Sequence, residues 1–275
     1  MIKLKKTLRK IITSALLAGS TLFPFRGDFT PRYNFNVPKY EQKLVVAHRG
    51  GTEHYRENSL EAFSHLKKTG ADMAEMDVRS TKDGKLIVYH DRTIAGRPLK
   101  WITYNRAEEL VKKLGYHIPL FDEALKTLKN KKAIVDLKET GTEKKVMRII
   151  GKYLPDDNVI VSSRNAESLR KIKSINKNVK TSVVMPSGFL NLGTEIREKL
   201  DIVPWRHIKQ ANADYVSVDG SDVNQSFYDH AGDGVGILIY GLKDKSGIKN
   251  VLAKKNVVGI ISNNPTEAVK IRDEK

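Results

Sequence analysis

Two histidines in this chain stand directly behind short apolar runs: LVVA precedes His48 and LIVY precedes His90. Two further runs carry spaced charges, Glu75 and Asp77 in MAEMDV, and Asp136 and Lys138 in AIVDLK. Residues two apart on a strand share a face, so each pair points one way. Three carboxylates, Glu75, Asp77 and Asp136, suit a hard divalent cation bound through oxygen. Two imidazoles remove one proton and supply another near neutral pH, and Arg49 and Lys138 add positive charge to phosphoryl oxygens. The chemistry this set fits is cleavage of a phosphodiester at a metal-assisted site, with His48 and His90 as acid and base. Taken singly, each residue has an ordinary explanation: a hydrogen-bonded loop histidine, a solvent-facing E-x-D, a structural Asp136–Lys138 ion pair. Gathered in one place, they are costly to desolvate without a ligand or ion.

Bringing them together requires strands whose C-terminal ends meet. From Lys43 onward, β-rich apolar runs alternate with amphipathic segments. Strands are expected at Leu44–Ala47, Met73–Val78, Leu86–Tyr89, Ala133–Leu137 and Val159–Ser162. Four more follow at Thr181–Met185, Tyr215–Val218, Gly236–Tyr240 and Val257–Ile261. Helical stretches between them include Ser59–Thr69, Arg106–Leu114, Glu143–Tyr153, Ala166–Ile175 and Pro265–Asp273. Such alternation implies parallel βα units. So many units imply a closed (β/α)8 TIM-type barrel in one domain, residues 43–275, with functional side chains at the strand C-terminal ends. Nine runs are one too many for that barrel. Met73–Tyr89 leaves no room for a helix and Lys82-Asp83-Gly84 makes a tight turn, so this stretch reads as a hairpin-like excursion.

The 49 Lys and Arg outnumber the 32 Asp and Glu, giving a net charge of +17. Such a surface favours polyanions, an anionic membrane or a wall polymer among them. The basic residues are scattered and no nucleic-acid motif accompanies them, so no nucleic-acid partner is expected. The absence of cysteine excludes disulfides, zinc–thiolate sites and thiol nucleophiles. Residues 1–26 open with Lys3, Lys5, Lys6, Arg9 and Lys10 and continue into the apolar run Ile11–Phe25, the pattern of a signal peptide or N-terminal membrane anchor. As a helix that run reaches about 22 Å, short of a hydrocarbon core of roughly 30 Å. The expectation is an exported domain, secreted or anchored to the outer face of the cell membrane, with residues 27–42 as linker. The alternative is an amphipathic N-terminal helix on a cytoplasmic protein.

The same residues carry a resemblance. His48-Arg49-Gly50 is followed by Glu57-Asn58-Ser59-Leu60-Glu61-Ala62-Phe63, Gly70-Ala71-Asp72, Glu75-x-Asp77-Val78, Thr81-Lys82-Asp83-Gly84 and His90-Asp91. Ile118-Pro119-Leu120 with Glu123 continues the pattern. In order and spacing these motifs resemble the glycerophosphodiester phosphodiesterases. The resemblance implies the barrel, metal carboxylates at Glu75 and Asp77, a third at Asp136 where the family commonly has Glu, and His48 and His90 as the acid–base pair. It implies attack of the glycerol 2-hydroxyl on phosphorus, then opening of a cyclic phosphate by water. The products would be sn-glycerol 3-phosphate and an alcohol, from a small-molecule or lipid-derived phosphodiester. Calcium is expected ahead of magnesium, because weak all-oxygen ligation suffices at extracellular calcium levels.

Asn58 and Glu61 have the spacing of a helix capping box, and Glu57 faces either the metal or solvent. Three departures from the family pattern bear on substrate choice. The segment after His90-Asp91 is short where many members carry a longer insertion, Tyr240-Gly241 stands where W-T is frequent, and Ser262-Asn263-Asn264-Pro265 replaces a closing T-D-x-P. The sequence leaves the leaving alcohol and the oligomeric state open. Competing readings are a related phospholipase D- or sphingomyelinase D-type barrel, a hydrolase of wall glycerol-phosphate polymers, and a non-catalytic phosphate-ester-binding protein on a degenerate barrel.

Overall fold

The computed structural model describes residues 42–128, 131–185, 187, 210–223, 227–228 and 235–274. The expected signal or anchor at 1–26 and all but the last residue of the 27–42 linker lie outside these. The chain enters through β1 (Leu44–Ala47) and β2 (Met73–Ser80), then makes an excursion through β3 (Leu86–Val88), β4 (Thr93–Ile94) and β5 (Arg97–Pro98). It continues through β6 (Lys132–Leu137), β7 (Val159–Ser163), β8 (Lys180–Val184), β9 (Tyr215–Asp219), β10 (Gly236–Tyr240) and β11 (Val257–Ser262). Strands β1, β2 and β6 to β11 pair in parallel in that order, and β11 returns to β1, with Val45 opposite Ile260. This is the closed eight-stranded (β/α)8 barrel. The surplus ninth run is β3, which turns back antiparallel on the end of β2, Val78 opposite Val88. Gly84 makes that turn at φ 71°, the left-handed backbone a tight reversal needs.

Local chemistry sets the helix ends. Helix α1 (Leu60–Thr69) starts where the Ser59 hydroxyl accepts from the Ala62 N–H, and it stops at Gly70 with φ 76°. The expected capping box at Asn58 and Glu61 is therefore wrong by one residue: Ser59 is the cap, and Asn58 is freed for another task. Helix α2 (Tyr104–Lys112) begins two residues earlier than expected because Thr103 caps it. Then come α3 (Phe121–Leu128), α4 (Glu143–Tyr153), α5 (Ala166–Ile175), α6 (Lys245–Leu252) and α7 (Pro265–Asp273). Asn165, Asp244 and Asn264 each accept from the amide three residues on, capping α5, α6 and α7. Each helix lays an apolar stripe on the barrel, such as Val146, Met147 and Ile150 of α4. The short segment after His90 folds over β3 and keeps an apolar cluster of its own, including Ile94, Leu99 and Val111. Among the described residues no helix is long and apolar enough to cross a membrane.

The two faces of the strands divide the work. One parity meets the helices, as Val45 and Ala47 do; the other fills the barrel interior with Leu44, Val46, Met73, Ile134, Ile160, Tyr215 and Leu238. Two residues further along the same inward faces, apolar filling gives way to polar groups. Val46 leads to His48, Met73 to Glu75 and Asp77, Ile134 to Asp136 and Lys138. Ile160 leads to Ser162 and Arg164, Tyr215 to Ser217, and Leu238 to Tyr240. The period of two that packs the barrel thereby delivers these side chains to one mouth.

Candidate active site

His48, Arg49, Glu75, Asp77, His90, Asp136 and Lys138 all line one cavity at the C-terminal ends of the strands. The seven residues picked out from the sequence thus converge. Ser162, Arg164, Ser217 and Tyr240 complete much of its wall.

The His48–Arg49–Gly50 turn follows β1 with an unusual backbone. Arg49 adopts φ 52°, and the next two residues, Gly50 and Gly51, have φ near 90°. A β-carbon on Gly50 would sit 2.8 Å from the Ala62 side chain, so this glycine is demanded by space as well as by backbone angle. The strained Arg49 is held from both ends. Its N–H donates to Glu75 Oε2 at 2.8 Å, and its guanidinium reaches Glu57 at 2.7 Å and Asp77 at 3.3 Å. Glu57 therefore faces Arg49. Its neighbour Asn58, buried and also left-handed at φ 56°, clamps Asp77. Its amide donates to Asp77 Oδ2 at 2.8 Å, and its carbonyl accepts the Asp77 N–H at 3.2 Å.

The three carboxylates are almost fully buried: Glu75 is 5 % exposed, Asp77 1 % and Asp136 6 %. One oxygen from each lies within 4.8 Å of the others, a spacing able to hold a metal ion. Lys138 runs between them, 2.7 Å from Asp77 and hydrogen-bonded to Asp136, while Ser162 donates to Asp136 at 3.2 Å. Burial pushes the Glu75 carboxyl well above the usual carboxylate range, and nearby Asp77 and Asp136 push the same way. Burial opposes the charge of Asp77 too, but Lys138 and Arg49 outweigh it and hold that carboxyl below its ordinary value. Burial would lower the Lys138 ammonium, yet Asp136, Asp77 and Glu75 keep it raised and firmly protonated. Two cations thus offset four carboxylates, counting Glu57. The donor set fits a divalent cation: all oxygen, clustered, and short of positive charge.

The histidines differ in environment. His48 is half-buried, and desolvation lowers its pKa despite the hydrogen bond to Asn263. Its Nδ1 lies 2.5 Å from the Asn263 amide oxygen, which only accepts. Nδ1 therefore carries the proton and Nε2 keeps a free lone pair. His90 stands at the opening, its Nδ1 2.8 Å from the exposed carboxylate of Asp91 and its carbonyl held by Arg79 at 2.7 Å. The sequence assigned Asn58 only a capping role and showed Asn263 only as a departure from the family pattern, and it singled out none of Ser162, Ser217 and Arg164. For Ser162 and Arg164 the inward parity of β7 was an available signal; the site contacts of Asn58 and Asn263 are tertiary, and no local pattern states them.

Residues 48–267 match the model of the glycerophosphoryl diester phosphodiesterase family. A glycerophosphodiester phosphodiesterase of Bacillus altitudinis is 30 % identical over 259 residues, 84 % of this chain and 98 % of that protein. One from Caldanaerobacter subterraneus is 31 % identical over 166 residues, 54 % of this chain and 68 % of its own length. Among solved structures, an Oleispira antarctica phosphodiesterase in complex with the product sn-glycerol-3-phosphate superposes with a TM-score of 0.70 at 18 % identity, covering 85 % of this chain and 98 % of that one.

Proposed function

The chain belongs to the glycerophosphoryl diester phosphodiesterase family and is a phosphoric diester hydrolase, and from that premise we propose how its residues divide the reaction. His48 is the base and His90 the acid. The observation that carries this is their unlike surroundings: burial favours the neutral form of His48, whose Nδ1 faces the Asn263 oxygen and leaves Nε2 free, whereas His90 stands at the opening with its Nδ1 2.8 Å from Asp91. His48 Nε2 takes the proton of the glycerol 2-hydroxyl as that oxygen bonds to phosphorus. His90 delivers a proton to the departing alkoxide as its bond to phosphorus breaks. Water then opens the cyclic phosphate with the roles reversed: His90 takes a proton from water and His48 returns one to the 2-oxygen. The products are sn-glycerol 3-phosphate and an alcohol.

Glu75, Asp77 and Asp136 would hold a divalent cation, with calcium ahead of magnesium. When bound, it would neutralise phosphoryl charge. Asn58 keeps Asp77 facing the cavity, and Arg49 and Lys138 place positive charge around the phosphoryl oxygens. Export, secreted or anchored outside the membrane, is supported by the basic-then-apolar pattern of residues 1–26, which makes 43–275 an extracytoplasmic barrel.

The direct test follows glycerophosphoglycerol by phosphorus NMR with the purified full chain and calcium. Appearance of sn-glycerol 3-phosphate, lost on chelation and in His48→Ala, is the expected result. No turnover with any divalent metal would overturn the reading.

A further inference from the structure

The catalytic cavity does not end at His90. It opens into a second groove, and His90, Asp136, Lys138 and Arg164 line both. Arg79, Asp91, Arg92, Glu139, Thr140 and Asn165 are among the groove's other polar residues. Its acidic groups are already engaged. Asp91 pairs with His90, Asp136 with Lys138, and Glu139 takes Arg79 at 3.1 Å together with the N–H and hydroxyl of Ser80 at 3.0 and 2.7 Å. Arg79 also donates to the His90 carbonyl, so that arginine is doubly committed to the wall.

Two cations are left over. Among the described residues neither Arg92 nor Arg164 makes an ion pair, and both are exposed residues lining the groove, Arg92 after β3 and Arg164 just past the end of β7. Arg164 stands where the inward parity of β7 meets the mouth, two residues past Ser162. An arginine pair without carboxylate partners, facing a groove whose acidic groups are spent, is a phosphate-binding arrangement: each fork offers paired N–H donors to an oxyanion.

We propose that Arg92 and Arg164 form a second phosphate subsite on the His90 side, so that the enzyme prefers glycerophosphodiesters whose leaving alcohol carries a phosphate of its own. This rests on His90 protonating the leaving alcohol, which places that alcohol at the groove. The scissile phosphate stays with Arg49 and Lys138; the subsite adds affinity for the next phosphate along.

The test compares kcat/KM for glycerophosphoglycerol with that for its analogue phosphorylated on the distal glycerol. The wild-type full chain with calcium should favour the phosphorylated substrate by about tenfold at low salt, and the ratio should fall toward one in roughly 0.5 M salt as screening sets in. In R92Q/R164Q the ratio should fall toward one at low salt as well. A wild-type ratio near one at low salt overturns the proposal. So does a double variant that keeps the wild-type ratio, or one that loses equally on both substrates, since that would place the arginines on the scissile phosphate. The wild-type salt series stands even if the double variant does not fold. Turnover of glycerophosphoglycerol itself reports separately on the general reaction.

Discussion

Asn58→Ala tests the idea that the site is held by a clamp as well as by charge. Asn58 is 4 % exposed and makes two hydrogen bonds to Asp77, at 2.8 Å to the carboxylate and 3.2 Å from the backbone N–H. Losing a hydrogen bond to a buried charged group costs about 1.5–3 kcal/mol, and leaving the Asp77 amide unsatisfied adds about 1 kcal/mol. Alanine must also adopt φ 56°, which asparagine tolerates better, for about another 1 kcal/mol. The sum is about 4 kcal/mol. Equilibrium urea unfolding in chelator, where metal binding cannot mask the difference, should show the loss as a lower midpoint with an unchanged slope. In a barrel of this size it corresponds to a Tm lower by roughly 8–16 °C. Asn58→Gly separates the terms: it removes both hydrogen bonds but relieves the backbone, so it should lose about 1 kcal/mol less than alanine. If Asn58→Ala stays within about 1 kcal/mol of wild type, the clamp does not exist.

Gly50→Ala should destabilise by about 3 kcal/mol in the same assay, because its β-carbon meets Ala62 at 2.8 Å with φ +89°. Calcium should raise the Tm of the wild type, and Glu75→Gln should abolish most of that shift. Burial keeps a proton on Glu75 above the usual carboxylate range, and a metal needs the carboxylate. Calcium binding should therefore release a proton and strengthen as pH rises, read by calorimetry in two buffers of different ionisation enthalpy. The base must be neutral to act, so kcat/KM should fall as pH drops through the His48 pKa, which lies below the ordinary 6.5. Asn263→Asp puts a carboxylate beside that ring and should move the acidic limb up by about one unit or more.

Much of the barrel was legible because a single rule, alternation of inward and outward residues, both packs the interior and spaces Glu75 from Asp77 and Asp136 from Lys138. The extra ninth run was legible as a turn, since Asp83-Gly84 admits little else. The cap of α1 was misplaced because Asn58 and Ser59 are both good capping residues, and only burial beside Asp77 chooses between them. Asn263 was visible as a departure from the family pattern, but its role depends on β11 lying next to β1. That adjacency is a closure contact spanning some two hundred residues of chain, and no local signal carries it. Arg92 and Arg164 read as ordinary surface charge until the partners of every neighbouring carboxylate are known.

The division of labour between His48 and His90 is tested most directly with two leaving groups. His90→Ala should lose about 10²–10⁴ in kcat/KM on glycerophosphoglycerol, whose alkoxide needs a proton. On the 4-nitrophenyl ester of glycerol phosphate, whose phenolate leaves unaided, the same variant should lose tenfold or less. His48→Ala should fail comparably on both. Equal losses for His90→Ala on the two substrates would contradict its assignment as the acid, and full activity in His48→Ala would remove the base.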